Sequence, residues 1–285
     1  MTRIGRVTVG CNDTAKVMGI INVSPESFYK ASVRTGDRDI AETAKGMQQD
    51  GANIIDIGAM STAPYLQTII PAEDEVRKIR HAIEIVKQAC NLPISADTPR
   101  AKVAEEAIAA GADAINDVTG LKYDKEMAHV IARTKVSIII GAYSLAAVTT
   151  GKIQVTINAL KESIALARKA GIADSSIIVD PSIGFFRKEG QNQFFTKMTD
   201  MPWYARDIEV LHKLRKLAIL NKPICISVSR KSFIGYLLNL QTEEDRLTPS
   251  LICEAIAVLN GANIIRTHSV KETVQSLLML QLLSS

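Results

Sequence analysis

The sequence predicts an α/β fold: a (β/α)₈ TIM barrel whose bottom is plugged by a short N-terminal β-hairpin. Three observations carry that prediction. The first is a repeat. G-A-N-I-I-D-I-G begins at Gly51, G-A-D-A-I-N-D-V at Gly111 and G-A-N-I-I-R-T-H at Gly261, each directly behind a helical pattern. A glycine that caps a helix in the left-handed conformation and leads into a short buried strand is the junction from which αβ units are stacked. The second is the regular alternation of about eight short apolar runs with amphipathic stretches, which suits a closed barrel better than an open doubly wound sheet. The third is that no G-x-G-x-x-G follows the first strand, which counts against a dinucleotide-binding sheet.

Taken in order, residues 3–16 alternate apolar and polar around Gly10, Asn12 and Asp13 and predict the hairpin. Strands are expected near 17–22, 53–58, 94–97, 114–118, 136–141, 176–180, 224–228 and 263–267. Helices are expected over 39–50, 71–89, 99–110, 125–133, 154–170, 204–220, 249–259 and 270–283. The longer connections, 24–37, 59–70, 142–153, 181–203 and 229–247, all follow strands. In a parallel barrel such loops share the rim where ligands bind.

With 285 residues and 47% hydrophobic composition, the chain is expected to form a single domain spanning 1–285. The first ten residues lack the long apolar run of an export signal, and L-L-M-L-Q-L-L near the end is too short to span a bilayer, so a cytoplasmic protein without membrane contact is expected. Cys11, Cys90, Cys225 and Cys253 are far apart and form no C-x-x-C pair, which fits reduced packing residues. The net charge of +4 is scattered along helices and aromatic residues make up only 5%, so no nucleic-acid partner is expected. The final helix carries apolar residues on more than one stripe, which predicts a homodimer.

Collecting the strand ends gives Asn22, Asp56, Asp97, Asn116, Asp180, the Ser229–Arg230–Lys231 segment, and Arg266 with His268. No zinc-ligand spacing and no activated nucleophile stands among them. Planar hydrogen-bonding groups lie at one side and cations at the other, a set that a flat heterocycle with an anionic tail would satisfy. Taken singly, Asp56 reads equally well as a barrel-interior ion-pair partner, Asn116 as a loop cap and Lys231 as a surface lysine. His81, His129 and His212 fall on predicted helices and are read as solvated or structural.

M-G-I-I-N-V-S-P-E-S-F, G-A-N-I-I-D-I-G-A-M-S-T, I-S-A-D-T, G-A-D-A-I-N-D-V, I-I-V-D-P-S-I-G-F, S-V-S-R-K-S-F-I-G and I-I-R-T-H resemble, in order, the signature segments of the dihydropteroate synthase family. The resemblance implies a barrel that joins 6-hydroxymethyl-7,8-dihydropterin diphosphate to an arylamine and releases diphosphate. It implies pterin contacts from Asp97, Asn116, Asp180, Lys231 and Phe185. It further implies diphosphate contacts from Asn22, Arg266 and His268, with Mg²⁺ carried on the diphosphate at Asn22, and arylamine contacts from Thr62, Pro64 and Ser232 together with Ser61. Lys231, Arg266, His268 and Asn22 are the catalytic group so implied. Stabilising the departing diphosphate is the main catalytic effect expected, since the dihydropterin can spread the positive charge of an SN1-like path.

Two departures stand out. Bacterial members of the family usually carry S-T-R-P where this chain has Ser61, Thr62, Ala63 and Pro64, and S-D-G-G where it has Tyr29, Lys30, Ala31 and Ser32. These loops are similar to the archaeal branch of the family and predict a preference for 4-(β-D-ribofuranosyl)aminobenzene phosphate over p-aminobenzoate, with Lys30, Arg34 or Arg187 meeting the phosphate. Two further readings remain: a pterin-dependent methyltransferase acting on a methyl-tetrahydropterin, and a non-catalytic pterin-binding homologue.

Overall fold

The computed structural model describes residues 1–10, 14–24, 33–34 and 36–284. Cys11, Asn12, Asp13, Lys30 and the other loop positions 29 and 31–32 singled out above lie outside the described residues. The chain opens with β1 (Thr2–Ile4) and β2 (Val7–Val9), an antiparallel hairpin with Ile4 opposite Val7. Its turn is at Gly5, in the left-handed region (φ +52°), so the reversal comes earlier than the expected centre near Gly10.

The barrel follows. Its strands are β3 (Lys16–Asn22), β4 (Ile54–Gly58), β5 (Ile94–Asp97), β6 (Ala114–Asp117), β7 (Ser137–Gly141) and β8 (Ile177–Asp180), joined by β11 (Cys225–Ile226) and β12 (Ile264–Thr267). All pair in parallel in the order β11-β12-β3-β4-β5-β6-β7-β8. The ring closes where Val179 bridges Ile224 and the Val179 N–H donates to the Pro223 carbonyl at 2.9 Å. Helices α1 (Asp37–Gln49), α2 (Ala72–Ala89), α3 (Ala101–Ala110), α4 (Met127–Thr134), α5 (Ile153–Lys169), α6 (Trp203–His212), α7 (Ser232–Leu238), α8 (Leu247–Leu259) and α9 (Val270–Ser284) cover it. Among the described residues no helix is long and apolar enough to cross a membrane. Cys90, Cys225 and Cys253 are unpaired thiols.

Strand alternation explains both the plug and the site. Met18, Ile54, Ala114, Ile139, Ile178, Cys225 and Ile264 point into the barrel and pack with Ile4 and Val9 of the hairpin in one buried cluster. Side chains two residues further along face the same interior. Those positions are Ile20, Asp56, Asn116, Gly141, Asp180, Ser227 and Arg266, and on β5 the step from Ser95 leads to Asp97. The interior is thus apolar at its floor and polar at its carboxyl end.

The structure departs from expectation in four further places. The strand expected over 224–228 ends at Ile226, because Ser227–Lys231 turns, with Arg230 at φ +55° and its N–H bonded to Ser250 Oγ at 2.9 Å. The helix expected over 204–220 ends at His212 and continues as a 3₁₀ segment, Leu214–Leu220. Helix α7 falls within what reads in sequence as a plain connection. So does an arm after β8, where β9 (Phe186–Arg187) pairs in parallel with β10 (Thr196–Lys197).

Candidate active site

Two adjoining cavities open at the carboxyl rim, of about 380 and 590 Å³ with open solvent at their mouths included. Thr62, Asp97, Phe185, Lys231 and Arg266 wall both. Asn116, Asp180, Ser182 and Ser227 line the inner one, and Asn22, Ser61, Ala63, Pro64, Tyr65, Arg187, Ser232 and His268 the outer one. Every strand-end residue singled out from sequence except Asp56, Ser229 and Arg230 therefore reaches one connected space; Asp56 and Ser229 bond residues that line it, and Arg230 borders a neighbouring hollow.

Asp56 is fully buried and its Oδ2 accepts from Arg266 Nε at 2.6 Å, while Arg266 Nη2 donates to Asp97 Oδ2 at 2.7 Å. Asp56 is thus the interior ion-pair partner of Arg266. Burial works against the Arg266 charge, but the two carboxylates outweigh it and hold its pKa above the ordinary value. Burial also lifts Asp97, to about 7, against the pull of Arg266 and with Asp56 and Glu75 adding to the rise. Behind Asp97, Thr98 Oγ1 and Arg100 Nη1 bond the two oxygens of buried Glu75 at 2.7 and 2.8 Å and fix the loop that Asp97 starts.

Asn116 donates from Nδ2 to Asp56 Oδ2 at 3.4 Å and lines the inner cavity. The loop-cap role belongs to its neighbour: Asp117 accepts from Thr119 N and Oγ1 and from Leu121 N, at 2.5–2.8 Å. Asp180 accepts from Ser182 N at 2.6 Å, and burial raises its pKa against that bond and the fields of Lys231 and Arg266.

Lys231 caps α7, and its Nζ lies 4.7 Å from the centroid of the Phe185 ring. Burial, then repulsion from Arg266, lowers its pKa to about 8. Gly184 makes this possible, since a Cβ there would meet the Lys231 stem at 3.3 Å and its own φ of +88° favours glycine. His268 Nδ1 shares a hydrogen bond with Ser229 Oγ at 3.1 Å, and burial with three neighbouring cations drives its pKa well below the ordinary value. It is a neutral imidazole, so the expected pair of cations at 266 and 268 is one cation and one neutral hydrogen-bonding group. Arg34 is tied to Thr43 Oγ1 at 2.9 Å and lines a neighbouring hollow on the other side of Ile20 and His268, not the outer cavity.

Sequence reasoning missed what braces this rim. Asn192, on the arm, donates to the Ala63 carbonyl at 2.7 Å, and Gln191 N to the Pro64 carbonyl at 2.6 Å. Arg206 and Asp207 form a fully buried ion pair at 3.3 Å. Arg206 reaches the carbonyls of Pro181 and Ser182, and Asp207 accepts from Gly184 N, so the pair holds the loop between Asp180 and Phe185. A signal was present: Asp207 falls on the 203, 207, 210 stripe of α6, where a helix facing a core is otherwise apolar.

Comparison with known proteins matches residues 18–268 to the family described as pterin binding enzyme. The dihydropteroate synthase of Clostridium beijerinckii is 35% identical over 95% of this chain and 94% of its own. The chain belongs to the dihydropteroate synthase family. Its barrel is similar to that of the Coxiella burnetii dihydropteroate synthase in complex with pteroic acid, with a TM-score of 0.83 and 31% identity over 96% of this chain and 95% of that one. The Xanthomonas albilineans dihydropteroate synthase with 4-aminobenzoic acid also gives a TM-score of 0.83, at 29% identity over 96% and 94%. As a family member the chain is a transferase, and the strand-end segments that suggested the family belong to it by sequence and by fold.

Proposed function

We propose that this chain, acting as one domain, condenses 6-hydroxymethyl-7,8-dihydropterin diphosphate with an arylamine, p-aminobenzoate or a ribosylated aminobenzene phosphate, and releases diphosphate. The observation that carries the reading is the polar upper layer of the barrel, where Asp97, Asn116, Asp180 and Lys231 face one cavity beside the Phe185 ring. Asp180 accepts from the pterin N3–H and 2-amino group, Asn116 takes the same edge, and Asp97 accepts from N8–H. Lys231 donates to the ring carbonyl and N5, and Phe185 stacks on the ring.

The diphosphate lies across the outer cavity. Arg266 meets it with Nη1, the guanidinium nitrogen not committed to Asp56 or Asp97, and His268 and Asn22 contribute neutral donors. Among the described residues no group of three or more His, Cys, Asp or Glu could hold a metal ion. One amide oxygen, that of Asn22, fits Mg²⁺ that arrives on the diphosphate with most of its ligands from phosphate and water. Bound there, Mg²⁺ would neutralise charge building on the leaving group. Thr62, Pro64 and Ser232 receive the arylamine, whose nitrogen attacks the pterin methylene as diphosphate departs.

Two finer readings accompany this one. Ile252, Ile256 and Leu259 of α8 and Leu278, Met279, Leu282 and Leu283 of α9 leave apolar side chains exposed, which supports a homodimer through these helices. The unpaired thiols support a cytoplasmic protein. The central test is arylamine-dependent diphosphate release from the pterin diphosphate, with the condensed product identified by mass. Binding without release would make the chain a non-catalytic homologue. Methyl transfer from a methyl-tetrahydropterin, with no diphosphate release, would make it a methyltransferase.

A further inference from the structure

Arg187 is the unabsorbed charge of the rim. It follows Phe186 on β9, is only 8% exposed, and lines the outer cavity with Thr62, Pro64 and Ser232. Its guanidinium is held from three sides: Nε donates to the Gly184 carbonyl at 3.1 Å, Nη2 to Ser232 Oγ at 2.8 Å, and Cζ sits 3.7 Å from the centroid of the Trp203 ring. Among the described residues no carboxylate lies within 4.0 Å of it, and Nη1 has no hydrogen-bond partner. The nearest opposing field is that of Asp207, whose carboxylate is already paired with Arg206.

A nine-tenths buried cation without a counter-ion is costly unless something anionic completes it. The outer cavity beside it gives such a group access, with Asp97 at its junction with the inner cavity and Asp180 deeper in, so an anion is favoured at the Arg187 end. An arylamine whose nitrogen points at the pterin must direct its para substituent away from those acids. The rings of Trp203, 3.7 Å from the guanidinium, and Tyr65, 5.9 Å from it, put aromatic faces around this cation. That arrangement suits a planar group carried directly on the ring.

We propose that Arg187 determines specificity for the second substrate, pairing with a carboxylate para to the reacting amine and selecting a small acidic arylamine over neutral or glycosylated ones. This rests on the synthase reading and narrows it to p-aminobenzoate. It also reverses the preference that Ala63 suggests in sequence, because the cation missing from the S-T-A-P segment is supplied from the arm.

The test is steady-state kinetics at saturating pterin diphosphate with p-aminobenzoate, its neutral isostere p-aminobenzamide, and 4-(β-D-ribofuranosyl)aminobenzene phosphate. A charge-assisted pair at a largely buried site predicts that the unmodified protein favours the acid over the amide by roughly ten- to a hundredfold in kcat/KM, mainly through KM. Arg187→Met should remove most of that preference, and Arg187→Lys, which keeps the charge but not the planar fork, should retain part of it. If the methionine variant does not fold, the lysine variant still decides, since an unchanged acid-to-amide ratio there would sink the assignment to the Arg187 guanidinium. Persistence of the preference in Arg187→Met, or a better kcat/KM for the ribosylated phosphate amine in the unmodified protein, overturns the proposal. Absence of diphosphate release with all three amines would instead overturn the synthase reading beneath it.

Discussion

Asp180→Asn probes the pterin anchor with almost no change of shape. In the native site one carboxylate oxygen accepts from Ser182 N at 2.6 Å and the rest of the group faces the inner cavity. An asparagine must keep its oxygen on the Ser182 N–H, because the flipped amide would set one donor against another. That forces the NH₂ toward the ligand, where two pterin donors expect acceptors. The loss is one charge-assisted bond plus an unpaired buried group, together about 2–4 kcal/mol, or roughly thirty- to a thousandfold in Kd. Calorimetry with the pterin diphosphate and no amine reads this directly. The melting temperature should barely move, since the Ser182 N–H stays satisfied, and that separates lost recognition from lost folding. A Kd that stays within roughly threefold of the unmodified protein would refute the anchor, because even one lost charge-assisted bond exceeds that.

Further outcomes follow from other buried groups. Lys231 carries its charge below about 8 and loses it above, so pterin diphosphate affinity should weaken as pH rises through 8, and Lys231→Arg should flatten that dependence in the same calorimetric series. Glu254 on α8 accepts from Thr273 Oγ1 at 2.7 Å, and burial raises its pKa from 4.5 to about 7. Because the folded value lies above the unfolded one, this group costs stability progressively as pH climbs from 4.5 to 7. Glu254→Gln should therefore stabilise by up to about 3 kcal/mol above pH 7, a rise of several degrees in Tm, and have little effect well below 4.5; equal shifts at both pH values would contradict the assignment. Leu278→Glu combined with Leu282→Glu should convert a dimer into a species of 31.0 kDa by light scattering, and an unmodified protein already at that mass would end the dimer proposal.

What the sequence made legible was whatever repeats locally. Helix, glycine and short apolar strand recur at Gly51, Gly111 and Gly261, and all three glycines take positive φ, from 94° to 109°. Period-two alternation then fixes which strand residues face the interior, so Asp56, Asp97, Asn116, Asp180 and Arg266 could be collected before any contact was known. The short apolar S-F-I-G-Y-L-L of α7 carries no helical period to set it apart from a buried strand. The arm has no periodicity at all, and its defining contacts join residues far apart, as Asn192 reaches Ala63 across 129 positions. Arg187 was visible only as a cation near the right loop. Its isolation from carboxylates is a property of packing, which no spacing encodes.

The arm also changes how the alanine at 63 should be understood. A loop arginine placed on the rim would hold its charge by itself, in water, on a flexible stem. Here the loop around Ala63 is instead pinned through its carbonyls by Asn192 and Gln191, and the same arm carries Arg187 on β9, stacked on Trp203 and bonded to Gly184 and Ser232. Binding to a cation already immobilised costs less ordering than binding to one that must be drawn in. The clamp continues inward, since Arg206 and Asp207 fix the Pro181–Gly184 backbone that leads from the pterin end of the cavity to this arginine. One continuous chain segment, from Asp180 to Asp207, thus positions the proposed contacts to both substrates, and a strain introduced at the buried ion pair should be felt at both ends of the cavity rather than at one.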